Sequence, residues 1–215
     1  AMHPYSGAGK PPMYGDYEAQ RHWMEITYHL DPLQWYHHLP EQGNDLQYWG
    51  LDYPPLTAWH SRLMGTMAHL LHPSMVKLID SHGYESEWSK LFMRWTVLLT
   101  DGLLFIPALI LFVAVYYQSR PWPIRMSALT LMFLQPPLLL IDHGHFQYNC
   151  VALAAVTASL VALLHQRIYL MACLFTLALA YKQMALYFAP AYFLYLLALV
   201  TRKHPHSIHQ QRHHP

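Results

Sequence analysis

Three short stretches gather most of the side chains able to do chemistry. They are Tyr14-Gly15-Asp16-Tyr17-Glu18-Ala19-Gln20-Arg21-His22-Trp23-Met24-Glu25, Asp142-His143-Gly144-His145-Phe146-Gln147-Tyr148-Asn149, and Tyr181-Lys182-Gln183-Met184. The first sets the carboxylates of Asp16, Glu18 and Glu25 beside an arginine, a histidine and a tryptophan. A carboxylate placed this way can act as a general base, and Asp16 can equally cap the helix that follows it. In the second, imidazoles two residues apart can share a metal ion. Its aromatic and amide side chains suit a sugar-binding loop just as well. In the third, Lys182 is a point cation able to hold a lipid phosphate. It can also snorkel, or pair with Asp142 in a structural ion pair.

The elements that must carry these stretches are read from apolar runs. A bilayer-crossing helix needs about 20 mostly apolar residues. Residues 96–117, 124–141, 148–164, 168–180 and 185–200 give about five such segments, the fourth being short. Arg120, Arg125, Arg167, Arg202 and Lys203 fall in the turns after the first, third and fifth segments, against Lys182 alone on the other side. The positive-inside rule therefore puts all three chemical stretches on the non-cytoplasmic face. Asp101 lies inside the first segment. An acid there is costly and points to function, unless it is shallow enough to be hydrated.

Charge is uneven along the chain. Ten of the twelve acidic residues lie at or before Glu87, and net charge is +1 over 215 residues. No electrostatic basis exists for binding nucleic acid. Two cysteines in apolar runs argue against a disulfide framework, and the start has no apolar signal-peptide core. The expected organisation is a flexible lead-in at 1–12, a luminal region with amphipathic helices at 13–94, a transmembrane bundle at 95–203 and a disordered cytoplasmic tail at 204–215. Ala19, Trp23, Ile26 and Leu30 recur at helical spacing, expected to seat a helix on the membrane domain, and Asp31-Pro32 ends the run. Asp52 ahead of Pro54-Pro55 suits a second helix start. Leu56, Trp59, Leu63, Thr66 and Leu70 then form one stripe, as on a helix lying in the membrane interface.

Together these features suit transfer of a sugar from a lipid phosphate to a hydroxyl. The leaving phosphate is already acidic, so no general acid is needed. One carboxylate acting on the acceptor hydroxyl suffices for inversion. A transporter using Asp101 and Lys182 as its polar pair is the reading from another class.

Residues YGDYEAQRHWMEIT, QYWGLDYPPLTAWHS, GYES, KLFMR, IDHGHFQYN and YKQMALY, in this order, closely resemble the eukaryotic endoplasmic-reticulum α-1,3-glucosyltransferases of N-glycan assembly. The resemblance runs from about Met13 to Val200. It implies an all-α polytopic membrane protein of the GT-C glycosyltransferase type, with luminal interfacial helices. It implies transfer of glucose from dolichyl-phosphate glucose to the lipid-linked high-mannose oligosaccharide, with inversion, at the luminal side of the membrane. Asp16 matches the family's catalytic base. Neither a cofactor nor a catalytic metal is implied. Glu18, Arg21, Asp52, His145, Gln147 and Lys182 are expected to contact substrate, extrapolated from side and chemistry. The EAQRHWME form after Asp16 resembles the first-glucose branch; a second-glucose enzyme and an inactive fragment stay as alternatives. The family's length implies a further transmembrane helix ahead of Met13 and more spans after Val200, so that the chain would hold the base without all the walls of its site.

Overall fold

The computed structural model describes residues 4–202, and the tail expected at 204–215 lies outside them. Among the described residues the regular structure is helical, apart from one isolated bridge between Leu39 and Asn44. Helices α1 (Gly15–His29), α2 (Leu46–Trp49) and α3 (Pro55–Leu71) build the N-terminal region. A long helix follows, made of α4 (Glu87–Thr100), a π-helical turn (Asp101–Phe105) and α5 (Ile106–Tyr116). Then come α6 (Trp122–Phe133), the short α7 (Pro136–Leu138), a second π-helical segment (Leu139–Phe146), α8 (Asn149–Leu164) and α9 (Ile168–Tyr181). A 3-10 segment (Gln183–Phe188) leads into α10 (Ala189–Arg202).

Helix α1 is entered through two left-handed residues, Tyr14 at φ 56° and Gly15 at φ 72°. A Cβ on Gly15 would stand 2.6 Å from the Ser6 carbonyl oxygen, so both conformation and space call for glycine. This entrance displaces Asp16 from the cap position into the first turn. Tyr14 is the N-cap and makes no side-chain cap bond, which corrects the capping reading of Asp16. Asp52 is likewise no cap, because α3 begins at Pro55 behind Pro54. Proline serves there because the first helical N–H groups have no partner to lose.

Nearly every residue from Tyr17 to Thr27 is buried, so α1 has two interior faces. Ala19, Trp23, Ile26 and Leu30 pack with Trp35, Leu51 and Ala58. The stripe expected to seat α1 on the membrane domain thus faces α3 and its loops. The opposite face seats the helix instead, where Tyr17 and Met24 join Met93, Val97, Phe146, Tyr148, Ala152 and Tyr181. The α1 and α3 backbones approach closely at Gly65, where a Cβ would lie 2.4 Å from the Met24 carbonyl oxygen. The stripe of Trp59, Leu63 and Leu70 on α3 stays exposed, as an interfacial helix requires.

Residues of the lead-in that the structure describes, from Pro4 on, make long-range contacts. Tyr5 stacks on Tyr17 at 3.9 Å between ring centroids, and its hydroxyl donates to Glu85 at 2.7 Å. Gly9 N–H donates to the same carboxylate at 2.9 Å. Partners 76 and 80 residues away supply what local pattern could not show.

Glu87–Tyr116, Trp122–Phe146 and Gln183–Thr201 are long and apolar enough to cross a membrane; Asn149–Leu164 and Ile168–Tyr181 are shorter apolar helices. All five expected segments are therefore helical, with three of bilayer length. The first begins at Glu87 rather than Thr96, because Ser86 accepts from Ser89 N–H and caps it there. Pro136-Pro137 does not end the second. These prolines occupy the first turn of α7, where no N–H is needed. Asp142 consequently joins Asp101 inside a candidate span. α8 and α9 pack through Val156 against Ala178 and through Ala162 against Met171, small residues at the contact letting the helices approach closely.

Candidate active site

Asp16 meets the second chemical stretch directly. Its Oδ2 accepts from His145 Nε2 and from Gln147 Nε2, both at 2.8 Å. A carboxylate only accepts, so the imidazole presents its Nε2–H. Oδ1 has no hydrogen-bond partner among the described residues, and the Asp16 side chain is 36% exposed. Two donors fix the carboxylate's rotation through one oxygen while the other stays open to an incoming hydroxyl.

Backbone geometry explains why residues 145 and 147 both reach one acceptor. Phe146 between them stands at φ 87°, a left-handed conformation that costs a non-glycine residue about 1–3 kcal/mol. Its ring is buried between Tyr17, 5.5 Å away, and Tyr148, 5.4 Å away. Burial of that ring beside the neighbour of Asp16 holds the kink in place.

From Gln147 a polar chain runs inward. Lys182 Nζ donates to Gln147 Oε1 at 2.9 Å and to Asn149 Oδ1 at 2.7 Å. Asn149 Nδ2 donates to Asp142 Oδ1 at 2.8 Å, and Cys150 N–H donates to Asp142 Oδ2 at 2.8 Å. The Tyr53 ring lies 4.6 Å from Lys182 Nζ, a cation–π distance. Gln147 accepts from lysine and donates to Asp16, which fixes its amide orientation. Lys182 also borders a hollow of about 490 Å³ lined by Tyr53, Gln183, Met184, Leu186 and Tyr187. Asp52 adjoins it, its backbone carbonyl accepting from Gln183 Nε2 at 3.4 Å. Partial desolvation pushes its carboxyl above the ordinary range, opposed by Lys182 and reinforced by Asp16.

The metal-like spacing Asp142-His143-Gly144-His145 does not converge. Asp142 turns to Asn149 and Cys150, His143 bonds Asp101 at 2.7 Å, and His145 bonds Asp16. His22, Glu25 and His82 do lie close enough for a shared ion. Glu25 is already filled there. It accepts from Arg21 at 2.8 Å, Ser81 Oγ at 2.9 Å and Ile79 N–H at 2.7 Å, with both imidazoles alongside. Three donors already engage this carboxylate without any ion.

Glu18 and Arg21 stand away from this centre. They are 1% and 0% exposed and pair at 2.6 Å. Arg21 also donates to the Met75 carbonyl and Ser81 Oγ, while Glu18 accepts from Tyr48 OH and Gly83 N–H. Burial opposes the charge on Glu25, yet donation from His22 and His82 and the charge of Arg21 hold its carboxyl below the usual range. The cluster ties α1 to residues 75–83. His145, Gln147 and Lys182 gather at Asp16, and Asp52 lies near. Tyr53, Asn149, Asp101 and the backbone at Phe146 join them. Asn149 and Asp101 were visible as polar groups in apolar surroundings; nothing in the sequence singled out Tyr53.

Bilayer-length helices, with turns at one end whose imidazole and amide align a carboxylate of the N-terminal region, define a class: a polytopic membrane protein with a polar site at one end of its apolar helices. The particular family comes from comparison. The model of the ALG6, ALG8 glycosyltransferase family matches residues 6–214, and the chain belongs to this family. It is 49% identical over 210 residues to a probable dolichyl pyrophosphate Man9GlcNAc2 alpha-1,3-glucosyltransferase of Arabidopsis thaliana, covering 94% of this chain and 38% of that protein. Proteins named dolichyl pyrophosphate Man9GlcNAc2 alpha-1,3-glucosyltransferase are 50% identical in Gallus gallus and 48% in Saccharomyces cerevisiae. These matches cover 93% and 91% of this chain, and 39% and 36% of the relatives. The chain thus spans less than two-fifths of the length of these relatives.

Proposed function

We propose that the protein carries the acceptor-side base of an inverting α-1,3-glucosyltransferase that uses dolichyl-phosphate glucose. The acceptor is the lipid-linked Man9 oligosaccharide, to which it adds the first glucose. One observation carries this reading: Asp16, in a chain of this family, is oriented by His145 and Gln147 through a single oxygen. The mannose hydroxyl oxygen attacks the anomeric carbon of glucose, and its proton passes to Asp16 Oδ1. The bond from that carbon to the lipid phosphate breaks, and the phosphate departs with the electron pair. Attack opposite the leaving group converts a β-linked donor into an α-linked product.

Lys182 supplies positive charge between Asp16 and the hollow at the lipid edge, where the departing phosphate gains charge. Two of its three N–H donors serve Gln147 and Asn149, leaving the third for that phosphate. Glu18 and Arg21 support catalysis by fixing α1, on which Asp16 stands. His145 flanks the acceptor side, while Asp52 lies beside Gln183 at the edge of the hollow. The distribution of basic turns supports a site on the non-cytoplasmic side, the lumen in an endoplasmic-reticulum membrane. Relatives named for Man9GlcNAc2 favour the first glucose step over the second.

The test is glucose transfer from short-chain dolichyl-phosphate glucose to lipid-linked oligosaccharide, with Asp16→Asn in parallel. Loss of a base costs about 10²–10⁴-fold. Product on a glucose-free acceptor, gone in the variant, is the expected result. Transfer retained by Asp16→Asn overturns the assignment of the base. Transfer only to monoglucosylated acceptor identifies the second-glucose enzyme instead.

A further inference from the structure

The residues that aim His145 and Gln147 at Asp16 are themselves held by α4 and the π-helical turn that continues it. His143 is gripped at both ends. Its Nε2 lies 2.7 Å from Asp101 Oδ2, and its carbonyl accepts from Arg94 Nη1 at 3.0 Å. Arg94 and Asp101 are seven residues apart, two helical turns, so both face the same side. On that helix Thr96 Oγ1 also meets Tyr148 OH at 2.6 Å. These bonds bracket the strained Phe146 from both directions. Asp101 is 6% exposed, and its Oδ1 is buried without a hydrogen-bond partner among the described residues. Placing such a carboxylate in an apolar helix is costly. Both Asp101 and His143 sit in π-helical turns, which recur at functional sites.

Resting on the function proposed above, we propose that Asp101 is a positioning residue: through His143 it locks the 142–149 turn so that His145 and Gln147 align the Asp16 carboxylate. Asp101 touches no substrate. It sets the turn's register, and Phe146 transmits that register to two donors on one oxygen. Because a misplacement of about 1 Å at a reacting group can cost about 100-fold, the effect falls on kcat.

Asp101→Ala, Asp101→Asn, His143→Ala and the double alanine variant, in the full-length protein in detergent, test this. Asp101→Ala is expected to lower kcat about 10- to 100-fold with little change in KM for either substrate. Asp101→Asn keeps an oxygen acceptor for the imidazole N–H and recovers most of the rate. The double variant is no slower than the worse single one, as expected for two residues acting as a unit. Unchanged kcat per folded molecule in Asp101→Ala overturns the proposal, as does a rise in KM at constant kcat.

A second readout needs no turnover. In protein carrying ¹⁵N-labelled histidine, the His145 Nε2–H bonded to Asp16 gives a downfield proton resonance, assigned by its loss in His145→Gln. Its loss in Asp101→Ala and its return in Asp101→Asn support the clamp. A resonance unchanged in Asp101→Ala overturns it. Wild-type protein without transfer, but with this pattern intact, would overturn the proposed function and leave the clamp standing.

Discussion

Asp16 gains its character from neighbours far along the chain. Its partners His145 and Gln147 lie 129 and 131 residues away. Its own sequence context suggested a helix cap, an equally sound use of aspartate; the two left-handed residues before it removed that use. His60 shows the same dependence on packing. Burial pushes its imidazole down to about 4, with Nδ1 against Tyr181 OH at 2.7 Å. Between this value and an unfolded value of about 6.5 the unfolded chain binds more protons, so stability rises with pH across that window and is lost on acidification. From pH 7 to pH 5 this group alone removes about 2 kcal/mol. Thermal unfolding in detergent should show the loss, and His60→Phe should flatten the slope. His22, also held below its ordinary value by burial, keeps part of the remaining slope.

Among the elements, α1 is the one whose role changed most between pattern and packing. Its apolar stripe was legible, and every member of it is buried. Glu18 and Arg21 on its polar face were expected to contact substrate; with Glu25 they form a closed network against residues 75–83. A dense polar face on a helix has the same pattern whether it meets water or a loop able to satisfy it. The network makes a stability prediction. Arg21→Met strands two buried carboxylates, a change that costs about 3–5 kcal/mol. Adding Glu25→Gln should recover part of it. Denaturant unfolding checks both, and a cost below about 1 kcal/mol for Arg21→Met would contradict a buried clamp.

For the whole molecule, the outer surface of the apolar helices decides the setting. Leu103, Leu111, Leu131, Leu140 and Leu194 are all more than half exposed. Isolated exposed leucines are ordinary, but continuous apolar faces on bilayer-length helices require lipid. The protein should stay with membranes through an alkaline carbonate wash and leave them only in detergent. Release by the wash would contradict the three spans. The polar site sits where the N-terminal region meets these helices: Asp16 from the former, His145, Gln147 and Lys182 from turns at one end of the latter.

The amino-acid sequence by itself determined the helical class, the approximate places of five apolar segments and the motifs that mark the family. These follow from local periodicity, composition and order, which survive without knowledge of contacts. Tertiary structure decided that Asp16 is aligned rather than capping, and that His143 and His145 serve different carboxylates. It also decided that Glu18 and Arg21 are sealed inside and that Phe146 is strained. Each of these depends on which side chains meet across 42 to 131 residues of chain, and on the burial that sets the free energy of a charge or a kink. Neither quantity is local, so neither can be read from spacing.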